Sequence, residues 1–211
     1  MTHVTANRTV ILADGVFPTH PLPLAVLHGA TRVICCDGAA AALLAAGREP
    51  DAVVGDLDSL SDALRARFAA RLFHDPSQET NDLTKALRHC LAHGWRDLAI
   101  LGATGRREDH TLGNLSLLAD AAREAPEVML ITDSGIFLPL PPSGHVATHP
   151  GQIVSLFSFD PAAAIHSRGL RWPLKGLQLS RWWQGTLNEA LGDSIELTAT
   201  GGPAVSTVGT R

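Results

Sequence analysis

Asp56 and Asp58 follow a short apolar run and a glycine in Val53-Val54-Gly55-Asp56-Leu57-Asp58-Ser59. In extended backbone, residues i and i+2 face the same side, so this spacing predicts two converging carboxylates. Close carboxylates repel unless a positive charge sits between them. A hard cation such as Mg²⁺, held by carboxylates and substrate phosphates, suits that place. The same residues equally suit a turn in which Asp58 or Ser61 caps the next helix. A second constellation runs from Gln78 to Leu87. Asp82 and Lys85 share a face in the first turn of a predicted helix, where free N–H groups favour an anion. They read as a metal-directed carboxylate with a phosphate-binding lysine, or as a solvated ion pair capped by Thr80 or Asn81.

The third constellation is Gly102-Ala103-Thr104-Gly105-Arg106-Arg107-Glu108-Asp109-His110, continuing to Asn114. A glycine loop lets backbone N–H groups approach phosphates, and arginines fork onto phosphate oxygens. His110 and Asn114 lie one helical turn apart. Neither a Gly-Lys-Ser/Thr ending nor a Gly-x-Gly-x-x-Gly pattern is present, so a tight turn with an N-cap aspartate stays open. His89 and His93 have the spacing of a zinc helix but lack its glutamate. Cys35, Cys36 and Cys90 form neither a disulfide framework nor a Cys-x-x-Cys site, and read as reduced core thiols of a cytoplasmic protein. Trp172, Trp182 and Trp183 suit core packing, an interface, or stacking on a flat cationic ring.

These residues need elements to hold them. Apolar runs at Thr9–Leu12, Arg32–Cys36, Ala52–Val54, Leu98–Leu101 and Val128–Thr132 predict strands. Helical segments at 22–28, 38–46, 62–70, 81–93 and 109–123 separate them. That alternation predicts an α/β domain with a mostly parallel sheet. Asp37, the Asp56–Asp58 loop and the Gly102–Gly105 loop each follow a strand, at the carboxyl edge where such sheets bind ligands. This shared placement favours the metal reading of the acidic loop over the cap. After Asp133 the texture changes. Pro139, Pro141, Pro142 and Gly144 precede runs at 153–159, 170–174, 195–200 and 204–208, which predict a small all-β domain. The expected boundaries are 1–138 and 139–211. With 211 residues, 45% hydrophobic and 18% charged, the chain can bury a core. A net charge of −4 argues against a nucleic-acid surface, and no stretch is long and apolar enough for a membrane span.

Taken together, these segments resemble the thiamine pyrophosphokinase family. The resemblance runs through Asp37-Gly38-Ala39, Gly55 to Ser59, Gln78 to Leu87, Gly102 to Asn114, Gly169 to Leu174 and Thr186 to Glu189. It implies a Rossmann-like three-layer α/β domain followed by a β-sandwich, in a homodimer with thiamine at the subunit interface. The implied reaction moves a pyrophosphoryl group from ATP to thiamine's hydroxyethyl group, giving thiamine diphosphate and AMP with Mg²⁺. By resemblance, Asp56, Asp58 and Asp82 hold the metal and Lys85 reaches a phosphate. Asp37, Gly102, Thr104, Gly105, Arg107, Asp109, His110 and Asn114 serve the nucleotide. Ser167, Trp172, Thr186 and Asn188 serve thiamine, with Leu187 where the family usually has serine. A pyrophosphokinase for another alcohol such as a pterin, and a non-catalytic nucleotide or thiamine sensor, are the alternatives.

Overall fold

The computed structural model describes residues 8–140, 142–201 and 204–209. Two compact units emerge: 8–117 with Leu130–Asp133, and Leu118–Met129 with 134–209.

In the first unit, short apolar runs become β1 (Thr9–Leu12), β2 (Arg32–Cys36), β3 (Ala52–Gly55), β4 (Leu72–His74), β5 (Leu98–Leu101) and β6 (Met129–Ile131). Their order is β6-β5-β1-β2-β3-β4. β1 pairs in parallel with β2 and β5, and β3 pairs in parallel with β2 and β4. Every residue of β1, β3 and β5 is buried, as expected of strands covered on both faces. The helices are α1 (Pro21–Gly29), α2 (Ala39–Ala45), α3 (Asp62–Arg67), α4 (Asp82–Ala92) and α5 (Glu108–Ala121), the last belonging to this unit up to Leu117. α4 packs on β1, β2 and β3, burying Leu83, Ala86, Leu87 and Cys90. From β1 the chain winds outward to β4, then returns to lay β5 on the other side of β1. The β1/β5 gap is therefore the topological switch point, where ligands bind in sheets of this kind.

Helix starts follow their caps. Ser61 Oγ accepts the Leu64 N–H, and Asn81 Oδ1 accepts the Thr84 N–H at 2.9 Å. The helix expected over 62–70 stops at Arg67. A 3-10 turn over Ala69–Arg71 then leads into the edge strand β4, three residues with no alternation to announce it.

The second unit is all β: β7 (Gly135–Leu140), β8 (Ser143–Ala147), β9 (Ile153–Ser158), β10 (Ala164–Arg168), β11 (Lys175–Gln178), β12 (Asn188–Glu189), β13 (Ser194–Thr200) and β14 (Ala204–Gly209). They form antiparallel layers ordered β12-β9-β14-β7 and β11-β10-β13-β8. Val154 and Leu156 of one layer share a core with Val146, Ile165, Ile195 and Leu197 of the other, which makes the unit a sandwich. The strand expected over 170–174 is instead a turn. Gly169 takes φ +83°, and only Leu170 bridges, to Ala190.

Candidate active site

Three acidic side chains from separate elements meet in the first unit. Asp37 follows β2, Asp56 follows β3, and Asp82 opens α4. One carboxylate oxygen of each lies within 4.8 Å of the others. Gly55 makes this approach possible. A Cβ there would stand 3.0 Å from Asp37 Cβ and 3.1 Å from Asp82 Oδ1.

Asp37 is the buried member, 2% exposed. Its Oδ2 accepts the Ser59 N–H at 3.0 Å, while Oδ1 is buried and has no hydrogen-bond partner among the described residues. Burial, opposed by the Ser59 N–H, pushes its carboxyl above the ordinary range, and the charges of Asp82 and Asp56 push it further. Asp56 moves the other way. The Asp58 N–H at 3.2 Å and the Gln78 side-chain amide at 3.2 Å hold its carboxylate ionised below the ordinary range, aided by Lys85. A proton shared between Asp37 and Asp56 therefore resides on Asp37. With both ionised, the orphaned Asp37 oxygen and its neighbours form an all-oxygen donor set facing inward. That set fits a hard divalent cation, which takes oxygen ligands.

The extended backbone expected between Asp56 and Asp58 is absent. β3 ends at Gly55, and Leu57 adopts φ +66°, so the segment is not extended and the alternation is lost. Asp58 is exposed and stands outside the trio, in which Asp37 takes the third place. Its main-chain N–H serves instead to orient Asp56.

A cleft of about 590 Å³ opens over the trio. Asp56, Asp82, Lys85, Thr104, Arg107, His110 and Asn114 line it. Lys85 is 3% exposed and donates to Asp82 Oδ1 at 3.1 Å, so the pair is half buried and not simply solvated. Gly102 and Gly105, at φ +65° and +90°, shape the loop that carries Thr104 to the cleft. Asn114, buried in α5, donates to the Ala103 carbonyl at 2.8 Å and accepts from the Asn81 amide at 3.2 Å, tying the glycine loop to the start of α4. Arg107 is exposed and paired with Asp109 at 2.6 Å, which holds the Asp109 carboxyl down at about 2. Asp109 itself does not line the cleft.

Sequence reasoning passed over Asp14 and Gln78 as site residues, and read Arg106 with Arg107 as a phosphate-directed arginine. Asp14 lines the cleft and pairs with Arg106 at 2.8 Å. Its signal was present, since Asp14 follows β1 as Asp37 follows β2. Gln78 had no such signal, because its role depends on reaching Asp56 across 22 residues.

In the second unit, Trp172 is 57% exposed. Asn188 is buried and spends its amide on the Trp172 main chain, accepting its N–H at 3.1 Å and donating to its carbonyl at 2.7 Å. Ser167 is also buried, and its Oγ accepts the Leu174 N–H at 2.8 Å. Thr186 donates to the Trp183 carbonyl at 2.9 Å. Leu187 sits at φ +59° and is 71% exposed.

An acidic trio, a lysine at a helix start and a glycine–arginine loop around one cleft at a sheet's switch point define a phosphoryl-transfer enzyme of the kinase class. Residues 24–130 match the family model for the thiamin pyrophosphokinase catalytic domain, and residues 135–205 that for its substrate-binding domain. The thiamine pyrophosphokinase of Bacillus subtilis (strain 168) is 30% identical over 146 residues, 65% of this chain and 68% of that protein. Thiamin pyrophosphokinase 1 of Caenorhabditis elegans is 28% identical over 98 residues, 44% of this chain and 40% of that protein. Among solved structures, the Bacillus subtilis enzyme matches with a TM-score of 0.80 at 22% identity, covering 97% of this chain and all of that one, 100%. Thiamin pyrophosphokinase from Candida albicans matches with a TM-score of 0.80 at 17% identity, covering 97% and 90%. The chain belongs to the thiamin pyrophosphokinase family, whose reaction is ATP-dependent pyrophosphoryl transfer to thiamine. Neither the pterin reading nor the sensor reading is favoured.

Proposed function

We propose that this chain moves the terminal pyrophosphoryl group of ATP onto the hydroxyethyl group of thiamine, yielding thiamine diphosphate and AMP. The observation that carries this reading is the carboxylate trio, with Asp56 and Asp82 lining the same cleft as Lys85 and the glycine–arginine loop and the buried Asp37 within 4.8 Å of both. Asp37, Asp56 and Asp82 would hold Mg²⁺. When bound, the ion neutralises triphosphate charge and polarises the phosphorus under attack. Lys85, Arg107 and the main chain of Gly102–Gly105 receive phosphate oxygens. Asn114 fixes that loop, and Thr104 and His110 face the nucleotide. Asp109 acts by holding Arg107, and Asp58 by orienting Asp56. The thiamine oxygen bonds to the β-phosphorus as the bond to the α,β-bridging oxygen breaks. AMP leaves with the electron pair, and the hydroxyl proton passes to solvent. Catalysis on this reading is positioning and electrostatics.

The acceptor end belongs to the β unit, with Trp172 stacking on a thiamine ring beside Ser167, Thr186 and Asn188. The chain acts as a homodimer with thiamine at the subunit interface. Exposed Trp182, Trp183, Leu187 and Leu191 in that unit support an apolar contact surface. A cytoplasmic setting accords with three free, buried cysteines, and no helix among the described residues is long and apolar enough to cross a membrane. Incubation with ATP, MgCl₂ and thiamine tests the reading. AMP and thiamine diphosphate in equal amounts are expected. ADP with thiamine monophosphate means a simple kinase, and absence of product refutes the activity.

A further inference from the structure

The segment that carries Trp172 is fastened at every turn. At its base, Ser167 exchanges two bonds with Leu174: N–H to carbonyl at 3.0 Å, and Oγ from the Leu174 N–H at 2.8 Å. On the far side, Arg171 N–H reaches the Glu189 carbonyl at 2.8 Å, and Leu191 N–H reaches the Gly169 carbonyl at 2.8 Å. Asn188 then clamps both main-chain polar groups of Trp172 itself. Its Oδ1 also takes the Glu189 N–H at 2.9 Å, so the buried amide has no free acceptor direction toward solvent. An exposed turn containing a proline and a positive-φ glycine would not need such fastening merely to stay folded. What the fastening fixes is an exposed indole. That indole already has one cation beside it: the Arg171 guanidinium lies 5.9 Å from the ring centre, braced by Glu189 at 2.8 Å.

Resting on the thiamine reading above, we infer that Asn188 and Ser167 are positioning residues: they act on the acceptor through the Trp172 indole, which they hold as a preset face for its cationic ring. Both were expected from the resemblance to touch thiamine directly. The bonds that Asn188 Oδ1 and Ser167 Oγ accept all come from the main chain of this turn and its neighbour Glu189. A preset aromatic face saves the ordering entropy that a mobile one would lose on binding, so its loss weakens acceptor binding and not the chemical step.

The test is steady-state kinetics on the full chain, with fluorine NMR of protein labelled with 5-fluorotryptophan. Trp172→Ala and Asn188→Ala should each raise the thiamine KM by about tenfold, the scale of one desolvated cation–π contact. Ser167→Ala, the gentler variant, should raise it by about threefold while keeping the fold, because only one bond is lost. In all three, kcat and the ATP KM should stay within about twofold of wild type. The resonance lost in Trp172→Ala should shift in Asn188→Ala and Ser167→Ala, while that of Trp95 holds. The decisive measurement is the double variant. If Asn188 works through Trp172, adding Asn188→Ala to Trp172→Ala brings no further rise in KM. A further tenfold rise shows Asn188 on the substrate and overturns the inference. Unchanged thiamine KM in Trp172→Ala overturns it too, while the proposed activity stands. A wild-type chain that makes no thiamine diphosphate overturns both.

Discussion

Replacing Asp37 by asparagine should move stability and activity in opposite directions. Three carboxylates within 4.8 Å repel one another. At an effective dielectric near 20, one fully ionised pair at that distance costs about 3 kcal/mol. Partial protonation of Asp37 and solvent around Asp56 and Asp82 reduce this, leaving a net relief of about 1 kcal/mol when the charge is removed. The new amide also brings an N–H donor beside two carboxylates within 4.8 Å. Without divalent metal, Asp37→Asn should therefore melt about 2–4 °C above wild type, the shift that 1 kcal/mol gives a chain of this size. With MgCl₂ or MnCl₂, wild type should gain stability and the variant should not. Thiamine diphosphate formation should fall by at least about 100-fold. The assay is a pair of melting curves, with and without metal, alongside AMP release. A variant that melts lower without metal, keeps its metal response and retains turnover would refute the cation-site reasoning.

Other expectations follow from the same geometry. Lys85→Met removes a buried ammonium beside a half-exposed partner; kcat/KM for ATP should fall by about 100-fold or more, with CD and melting showing a folded protein less stable by about 1–3 kcal/mol. Gly55→Ala inserts a methyl group 3.0 Å from Asp37 and 3.1 Å from Asp82, so metal-dependent stabilisation should weaken and kcat drop by about tenfold or more; unchanged values would mean the trio need not close. Burial pushes the Cys90 thiol up to about 12 and raises Cys35 and Cys36 as well. A raised thiol pKa leaves stability intact below the ordinary thiol value of about 8.5 and removes it as pH climbs toward the folded value. Urea midpoints should thus decline above about pH 9, and a thiol reagent at neutral pH should label the native chain only after denaturant is added.

Much of the site could be read from residue order, because each acidic or glycine-bearing loop directly follows an apolar strand. Partner choice within the site could not. Asp37 joins Asp56 because β2 lies beside β3 in parallel, with Cys36 opposite Val54, a register that no local pattern encodes. Asp58 drops out because a leucine takes a left-handed backbone, which β-type alternation excludes. In the sandwich, Pro139 masked a strand whose Ile136, Leu138 and Leu140 do alternate toward the core. β10 was hidden for a different reason: only Ile165 is apolar among its two inward residues, the other being Ser167. Ser167 and Asn188 were assigned to thiamine by the resemblance. Only the turn they fasten reveals where their hydrogen bonds go.

The loops after β1 and β5 are joined main chain to main chain. Gly15 donates to the Gly102 carbonyl at 2.6 Å, and Val16 donates to the Thr104 carbonyl at 2.9 Å. A side chain on Gly15 would collide with the Gly102 carbonyl oxygen, and one on Gly102 with Ala13 O at 2.6 Å. These bonds tie the two loops to each other directly. On the proposed function, the glycine loop is a cradle already formed when a nucleotide arrives, held by the loop after β1. On the proposed function, Lys85, Arg106 and Arg107 each meet an incoming triphosphate while paired with a carboxylate, so the nucleotide on-rate should depend on ionic strength through the exchange of those pairs.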